Sequence, residues 1–283
     1  MRIAVTGSAG LIGQAVVAKA IAEGHSVIGI DWALSDTRPG SAEPGTAPVP
    51  HERRHADVTD YEQLVDAVAD CEALIHLAAH PNALRKPDHT VHNNNVVASY
   101  NALRAAAELE IDRVCVASSV NAVTGEFNQA PRYVRLPVDE SHPAAPEDSY
   151  GLSKLLAEAQ ADAVARRHPR MTISTLRFHW VVPDREYAAS RASPEAGWKQ
   201  LWGYTTYDAA ARACLCALSA AFTGHERFYI VAPDTVLEIP SAELARRFHP
   251  DVPMPHPIVG NDSFFDCGKA ERLLGWRHDK AGE

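Results

Sequence analysis

Tyr150-Gly-Leu-Ser-Lys154 places a phenol and an ammonium four residues apart, on one face of any helix that contains them. A tyrosine near its ordinary pKa of about 10 is a poor base at neutral pH, and a nearby positive charge favours its phenolate. Tyr150 is therefore a candidate general base, with Lys154 as the cation that tunes it. Ser118 and Ser119 close an apolar run, and either hydroxyl can hydrogen-bond a reacting oxygen. A second set of residues suits a pyrophosphate. Thr6-Gly-Ser-Ala-Gly-Leu-Ile-Gly13 spaces three glycines three apart, and Asp31 follows eighteen residues after the last. Gly7 fits a tight turn, Gly10 lets backbone approach the phosphates, and Gly13 lets a helix pack closely on a strand. A carboxylate at Asp31 accepts from both ribose hydroxyls of NAD and repels the 2′-phosphate of NADP. NAD is the expected cofactor, although Arg38 lies nearby in the following loop.

These residues need a scaffold, and the chain spells one out. Arg2 to Thr6 reads as a strand, Leu11 to Glu23 as a helix stopped by Gly24, and Ser26 to Ile30 as a second strand. Six prolines and glycines between residues 34 and 50 (Pro39, Gly40, Pro44, Gly45, Pro48, Pro50) mark a long irregular loop. Thr59-Asp60 caps a helix running to about Ala69, and Asp57-Val58 just before it is a candidate adenine contact or a helix N-terminal carboxylate. Ala73 to Leu77 reads as a strand, Asn95 to Glu110 as an alanine-rich helix, and Arg113 to Ala117 as a strand. Ser149 to Arg167 is helical, Thr172 to Leu176 a strand, Asp208 to Ala221 a helix, and Phe228 to Val231 a strand. The alternation implies an α/β fold with a doubly wound parallel sheet. Ser118 and Ser119 then fall at the carboxyl end of a strand, where such sheets bind ligands.

With 27 Lys+Arg against 36 Asp+Glu, the formal charge is −9 over 283 residues, which argues against nucleic acid as a partner. At 46% hydrophobic and 22% charged, the composition is that of a globular protein able to form a real core. No stretch approaches a membrane span, no signal peptide is visible, and five scattered cysteines suit a reduced compartment, so a cytoplasmic protein is expected.

Gly7, Gly10 and Gly13 after Thr6, Asp31, Asp57-Val58, His76-Leu-Ala-Ala79, Ala117-Ser-Ser119, Tyr150 with Lys154, and Leu176-Arg177 together resemble the extended short-chain dehydrogenase/reductase family, in its NAD-dependent epimerase/dehydratase group. Asp266-Cys-Gly-Lys-Ala-Glu-Arg-Leu-Leu-Gly-Trp276 is similar to that group's C-terminal signature. The resemblance implies a Rossmann unit over residues 1–178, with 205–235 returning to it. A small substrate-binding region would then comprise 179–204 and 236–283. It implies catalytic roles for Ser119, Tyr150 and Lys154 in hydride transfer at a sugar or sugar-like carbinol. Cofactor contacts are implied at Gly7, Gly10, Leu11, Ile12, Gly13, Asp31, Asp57, Val58, Leu77, Ala78, Ala79, Asn95, Ala117, Tyr150, Lys154 and Phe178. Substrate contacts are implied at His80, Ser118, Ser119, Asn121, His179, Trp180 and Arg191. A homodimer through the 95–110 and 149–167 helices is also implied.

Two departures shape the substrate expectation. Nucleotide-sugar members of the group usually carry an asparagine and a glycine after the sixth strand, whereas Leu176-Arg-Phe-His-Trp-Val-Val-Pro183 has Trp180 and no glycine. Few residues remain beyond Pro183 to build a nucleotide-diphosphate site. The six-residue step from Arg177 to Pro183 and the Ala117-Ser-Ser119 run are similar to the compact uronate dehydrogenase branch, which acts on free sugar acids. The Ser119 to Gly125 segment is one residue longer than in that branch, which leaves the choice between Ser118 and Ser119 open. An NAD-dependent epimerase that retains its cofactor is the alternative activity, and a non-catalytic NAD-binding regulator the third reading.

Fourteen histidines invite a metal hypothesis, yet His51/His55 and His76/His80 lie off any helix, and Asp88-His89 with His92 suits a helix start. No metal site is expected. Trp198, Trp202, Tyr204 and Tyr207 either stack on a sugar face or pack a core. A uronate needs a cationic partner, and Arg185, Arg191 and Lys199 follow Pro183. A guanidinium grips a carboxylate through two bonds where a lysine cannot. Arg191 is the first choice because it lies near the middle of this segment and the resemblance to the uronate branch implies an arginine in the comparable loop.

Overall fold

The computed structural model describes residues 1–33 and 51–279. The proline-rich stretch at 34–50, with Arg38, lies outside the described residues. β1 (Arg2–Thr6), α1 (Leu11–Ala22), β2 (Ser26–Asp31), β3 (Glu52–His55), α2 (Tyr61–Val68), β4 (Ala73–His76), α3 (Asp88–Glu108), β5 (Arg113–Ser119), α4 (Ser149–Arg167) and β6 (Thr172–Phe178) alternate as expected. There follow β7 (Val181–Val182), α5 (Arg185–Ala189), α6 (Pro194–Gly197), β8 (Thr205–Thr206), α7 (Tyr207–Leu218), β9 (Gly224–Ile230), α8 (Ser241–Phe248) and α9 (Gly268–Leu274).

Among the described residues, the main sheet runs β3-β2-β1-β4-β5-β6-β9 with every neighbour parallel. The order turns back between β1 and β4, so the ends of these strands face a crevice at the switch point. Apolar cores lie on both faces. Val5, Ile75, Cys115 and Leu176 pack with α1 and α7, while Ile28, Leu74, Val114, Val116 and Ile173 pack with α2, α3 and α4. Residues alternate between the two faces along each strand, which is why these strands read as continuous apolar runs.

A third core joins Val120, Val123, Tyr133 and Leu136 to Leu201, Trp202, Tyr204, Tyr229, Leu244 and Phe264. The loop after β5 thus shares a core with the segments after β6, a partnership that has no periodic signature in sequence. Trp202 and Tyr204 are each 1% exposed, so core packing, the second of the two roles weighed for them, accounts for both rings. The helix expected from Asn95 begins seven residues earlier, at Asp88 behind Pro87. The polar run His92-Asn-Asn-Asn95 hides that first turn from a reading based on apolar spacing.

Candidate active site

The glycine turn joins β1 to α1 as a backbone cradle. Gly7 takes a φ of +72°, and a Cβ there would sit 2.8 Å from the Ala78 amide nitrogen. A Cβ on Gly13 would lie 2.2 Å from the Gly7 carbonyl oxygen. Only glycine allows this close approach of the turn, the helix and the segment after β4. Gly10 caps α1 without a side chain, so the first turn through Leu11, Ile12 and Gly13 presents backbone N–H groups. Asp31 ends β2, largely buried. Its Oδ2 accepts the Ala9 N–H at 3.0 Å and its Oδ1 the Ala33 N–H at 3.1 Å, which aims the carboxylate over the glycine turn. This cradle fits the pyrophosphate and adenosine ribose of a dinucleotide.

A line of polar contacts leads from the cradle to the phenol. Thr6 Oγ1 lies 2.8 Å from His76 Nδ1, and the Ala78 N–H donates to the same hydroxyl at 3.4 Å. Burial holds His76 down to about 3, with the Lys154 ammonium adding to the effect, so its imidazole is neutral. Lys154 Nζ donates to the Ala117 carbonyl at 2.8 Å. Burial brings this ammonium down to about 8.

Tyr150 stands in the first turn of α4, which Asp148 caps by accepting the Gly151 N–H at 2.8 Å. Phe127 meets its ring edge-on, 6.1 Å between centroids. The Ser119 hydroxyl lies beside that of Tyr150, close enough to act on its pKa. The same serine oxygen accepts the Asn121 N–H at 3.1 Å, and the Asn121 side-chain amide lies 3.4 Å away. Lys154, expected to lower the phenol's pKa together with the positive ring of the oxidised cofactor, is not among the groups that shift it in the protein alone. The ammonium is 5.8 Å from the ring centroid. Burial pushes the phenol up to about 12, the neighbouring Ser119 hydroxyl pulls it down, and the Asp148 charge adds to the rise.

Several expected contact residues have their side chains engaged elsewhere. Ser118 donates to Glu158 Oε1 at 2.6 Å in the interior, which leaves Ser119 as the hydroxyl beside Tyr150. His179 is corrected from a substrate contact to a structural residue: its Nδ1 accepts the Trp180 N–H at 2.7 Å and its Nε2 donates to the Gln200 carbonyl at 2.8 Å. Asn95 spends its amide on the backbone of His80, in both directions, and on Ser153, so it fixes the loop after β4. His80 itself is partly exposed there, held neutral chiefly by burial and also by the Lys86 charge. Asp57 Oδ1 accepts from the Thr59 backbone and hydroxyl, and the Val58 carbonyl accepts from Asn101. Phe178 is buried in the core at the end of β6. Leu77 and Ala79 are partly buried beside Ala78.

The cations after Pro183 separate. Arg185 pairs with Asp234 at 2.8 Å and Glu238 at 2.7 Å. Arg191 is exposed, stacked 3.7 Å above the Tyr187 ring, whose centroid is 6.2 Å from that of Trp180. Lys199 donates to the Asn128 carbonyl at 2.8 Å, and the N–H of Glu126 in the same loop donates to Asn121. Lys199 is therefore the cation tied to the loop that follows Ser119. Sequence reasoning missed this because the contact joins segments more than 70 residues apart. Among the described residues, no group of three His, Cys, Asp or Glu side chains could hold a metal, and no helix is long and apolar enough to cross a membrane.

A glycine cradle beside a Ser–Tyr–Lys set, all hung from the carboxyl ends of a doubly wound sheet, defines a short-chain dehydrogenase/reductase. The model of the NAD dependent epimerase/dehydratase family matches residues 3–193, and the chain belongs to that family, with NAD as its cofactor. L-arabinose 1-dehydrogenase (NAD(P)(+)) of Haloferax volcanii is 32% identical over 198 residues, covering 65% of this chain and 69% of that enzyme. A putative UDP-glucose 4-epimerase of Methanocaldococcus jannaschii is 35% identical over 186 residues, covering 65% of this chain and 57% of that protein, less than two thirds of its length. The solved structure of glucuronic acid dehydrogenase from Chromohalobacter salexigens superposes on 100% of this chain and 85% of its own, with a TM-score of 0.71 at 22% identity, a likeness of fold.

Proposed function

We propose that the chain is an NAD-dependent dehydrogenase of a free sugar or sugar acid, with Tyr150 as general base. The observation that carries this reading is the grouping of the Ser119 hydroxyl beside the Tyr150 phenol, one helical turn from the buried Lys154 that is fixed on the Ala117 carbonyl. A substrate carbinol entering between these hydroxyls is oriented by Ser119 and gives its hydroxyl proton to Tyr150 Oη. NAD supplies the hydride acceptor and a positive ring that stabilises the phenolate. Lys154, fixed on Ala117, is placed to hold the nicotinamide ribose. Gly7, Gly10, Leu11, Ile12 and Gly13 would hold the pyrophosphate, Asp31 the adenosine ribose, and Asp57-Val58 the adenine.

The segments 179–204 and 236–283 form the substrate-binding region in this reading, together with His80 and Asn121. Trp180, 38% exposed beyond the end of β6, offers an apolar face where nucleotide-sugar members carry an amide. That favours a sugar ring over a nucleotide diphosphate. If the substrate is a uronate, Arg191 or Lys199 meets its carboxylate. Arg191→Ala and Lys199→Ala are each assayed on a uronate and on the matching neutral sugar. A loss of about tenfold or more confined to the acid identifies the anchor. Equal effects on both substrates from both variants, or none, remove the carboxylate from the reading.

Val97, Tyr100 and Leu152 are exposed on the adjacent helices α3 and α4. We take this face as the contact for a second copy, and a monomer in sedimentation at micromolar concentration would contradict it.

A further inference from the structure

Three successive residues of β5 meet three side chains of α4 spaced four apart. The Ala117 carbonyl takes Lys154 Nζ at 2.8 Å, Ser118 Oγ donates to Glu158 Oε1 at 2.6 Å, and the Ser119 hydroxyl lies beside that of Tyr150. Glu158 is fully buried, and its carboxylate is saturated. Oε1 also accepts Arg177 Nε at 2.8 Å, and Oε2 accepts Arg177 Nη2 at 2.7 Å and Arg227 Nε at 3.1 Å. One carboxylate thus ties α4 to β5, β6 and β9. Burial alone would raise its pKa, but the Arg177 fork, Ser118 and Arg227 together hold it below the ordinary value.

We infer that Ser118, Glu158 and Arg177 are positioning residues that set the register of α4 against β5, and through it the alignment of Tyr150 with Ser119. In the apolar core this helix shares with the sheet, α4 contributes chiefly Ala161 and Ala165, with Val164 partly buried beside them. Methyl groups set the distance between helix and sheet but interlock weakly, so they do little to stop sliding along the axis. A shift of one residue moves a helix by about 1.5 Å, enough to keep two neighbouring hydroxyls from reaching one substrate oxygen together. A buried ion pair adds little net stability over apolar residues of the same volume. Its directional bonds, by contrast, fix geometry.

The inference rests on reading Tyr150 and Ser119 as the reacting pair, so its test has one arm that needs no substrate. Ser118→Ala removes one hydrogen bond and leaves the ion pair, and Glu158→Gln keeps the shape while weakening the fork. Each is expected to lower kcat about tenfold with KM for sugar and NAD within about twofold, and Ser118→Thr to restore it. Because both act through one contact, the double variant falls no further than the worse single. In the second arm, 3-fluorotyrosine at position 150 is read by fluorine NMR, and its resonance moves in both variants but not in Ser118→Thr. Multiplicative losses in the double variant overturn the inference. So does a lowered melting temperature with kcat and the fluorine resonance unmoved. If wild-type protein oxidises no sugar, the function reading fails while the fluorine arm still decides the register.

Discussion

Tyr150→Phe is expected to lower turnover by at least about 10²-fold while NAD binding, measured by calorimetry, stays within twofold. The substitution removes the oxygen that the proposed mechanism uses to take the substrate proton and keeps the ring that packs against Phe127. The wild-type phenol, pushed up to about 12 by burial, sets a second signature. Deprotonation is the demanding step, so the oxidation rate should climb with pH through the neutral range. Retained turnover in the phenylalanine variant, or a flat profile between about pH 7 and 9, would remove Tyr150 as the base.

The second large effect is acid lability. Burial holds His76 at about 3 and His179 at about 4, the latter against the opposing pull of the Gln200 carbonyl. Both folded values lie below the unfolded value of about 6.5. Above that pH neither state carries the proton, and stability is full. As the pH falls through 6.5, the unfolded chain binds protons that the folded imidazoles refuse, and stability drains away until the folded values are reached. By about pH 4.5 the two residues together account for about 5 kcal/mol, comparable with the whole stability of many domains. Urea unfolding at pH 7 and 4.5 measures the loss, and His179→Gln should flatten the pH dependence by roughly half. An unchanged midpoint in wild-type protein, or equal slopes in the variant, would contradict this account.

Much of the positioning was legible because it is local. The glycine spacing after a strand, the eighteen-residue step to Asp31 and the four-residue step from Tyr150 to Lys154 depend only on turn and helix geometry. The ends of α4 were readable as well, because Asp148-Ser149 caps one end and Arg167-His168-Pro169 closes the other. What escaped was set by contacts across the chain. Nothing near His179 shows that Trp180 and Gln200 occupy both its nitrogens, and nothing near Asn95 shows that it pins His80. Glu158 did leave a trace, one further four-residue step along the face of Tyr150 and Lys154. Its partners Arg177 and Arg227 lie on strands that only the sheet order brings beside it. The β5 residues 118 and 119 were indistinguishable in sequence, and the structure separates them by what each touches.

The central claim is net oxidation of a free sugar or sugar acid by NAD. Purified protein, desalted and incubated with NAD and a panel of neutral sugars, uronates and nucleotide sugars, is followed by absorbance of the reduced cofactor. The account predicts reduced cofactor accumulating in proportion to a free sugar or uronate consumed, with NAD lost on desalting. Near-stoichiometric NAD retained through desalting, with a nucleotide sugar interconverted and no net reduced cofactor, would contradict it.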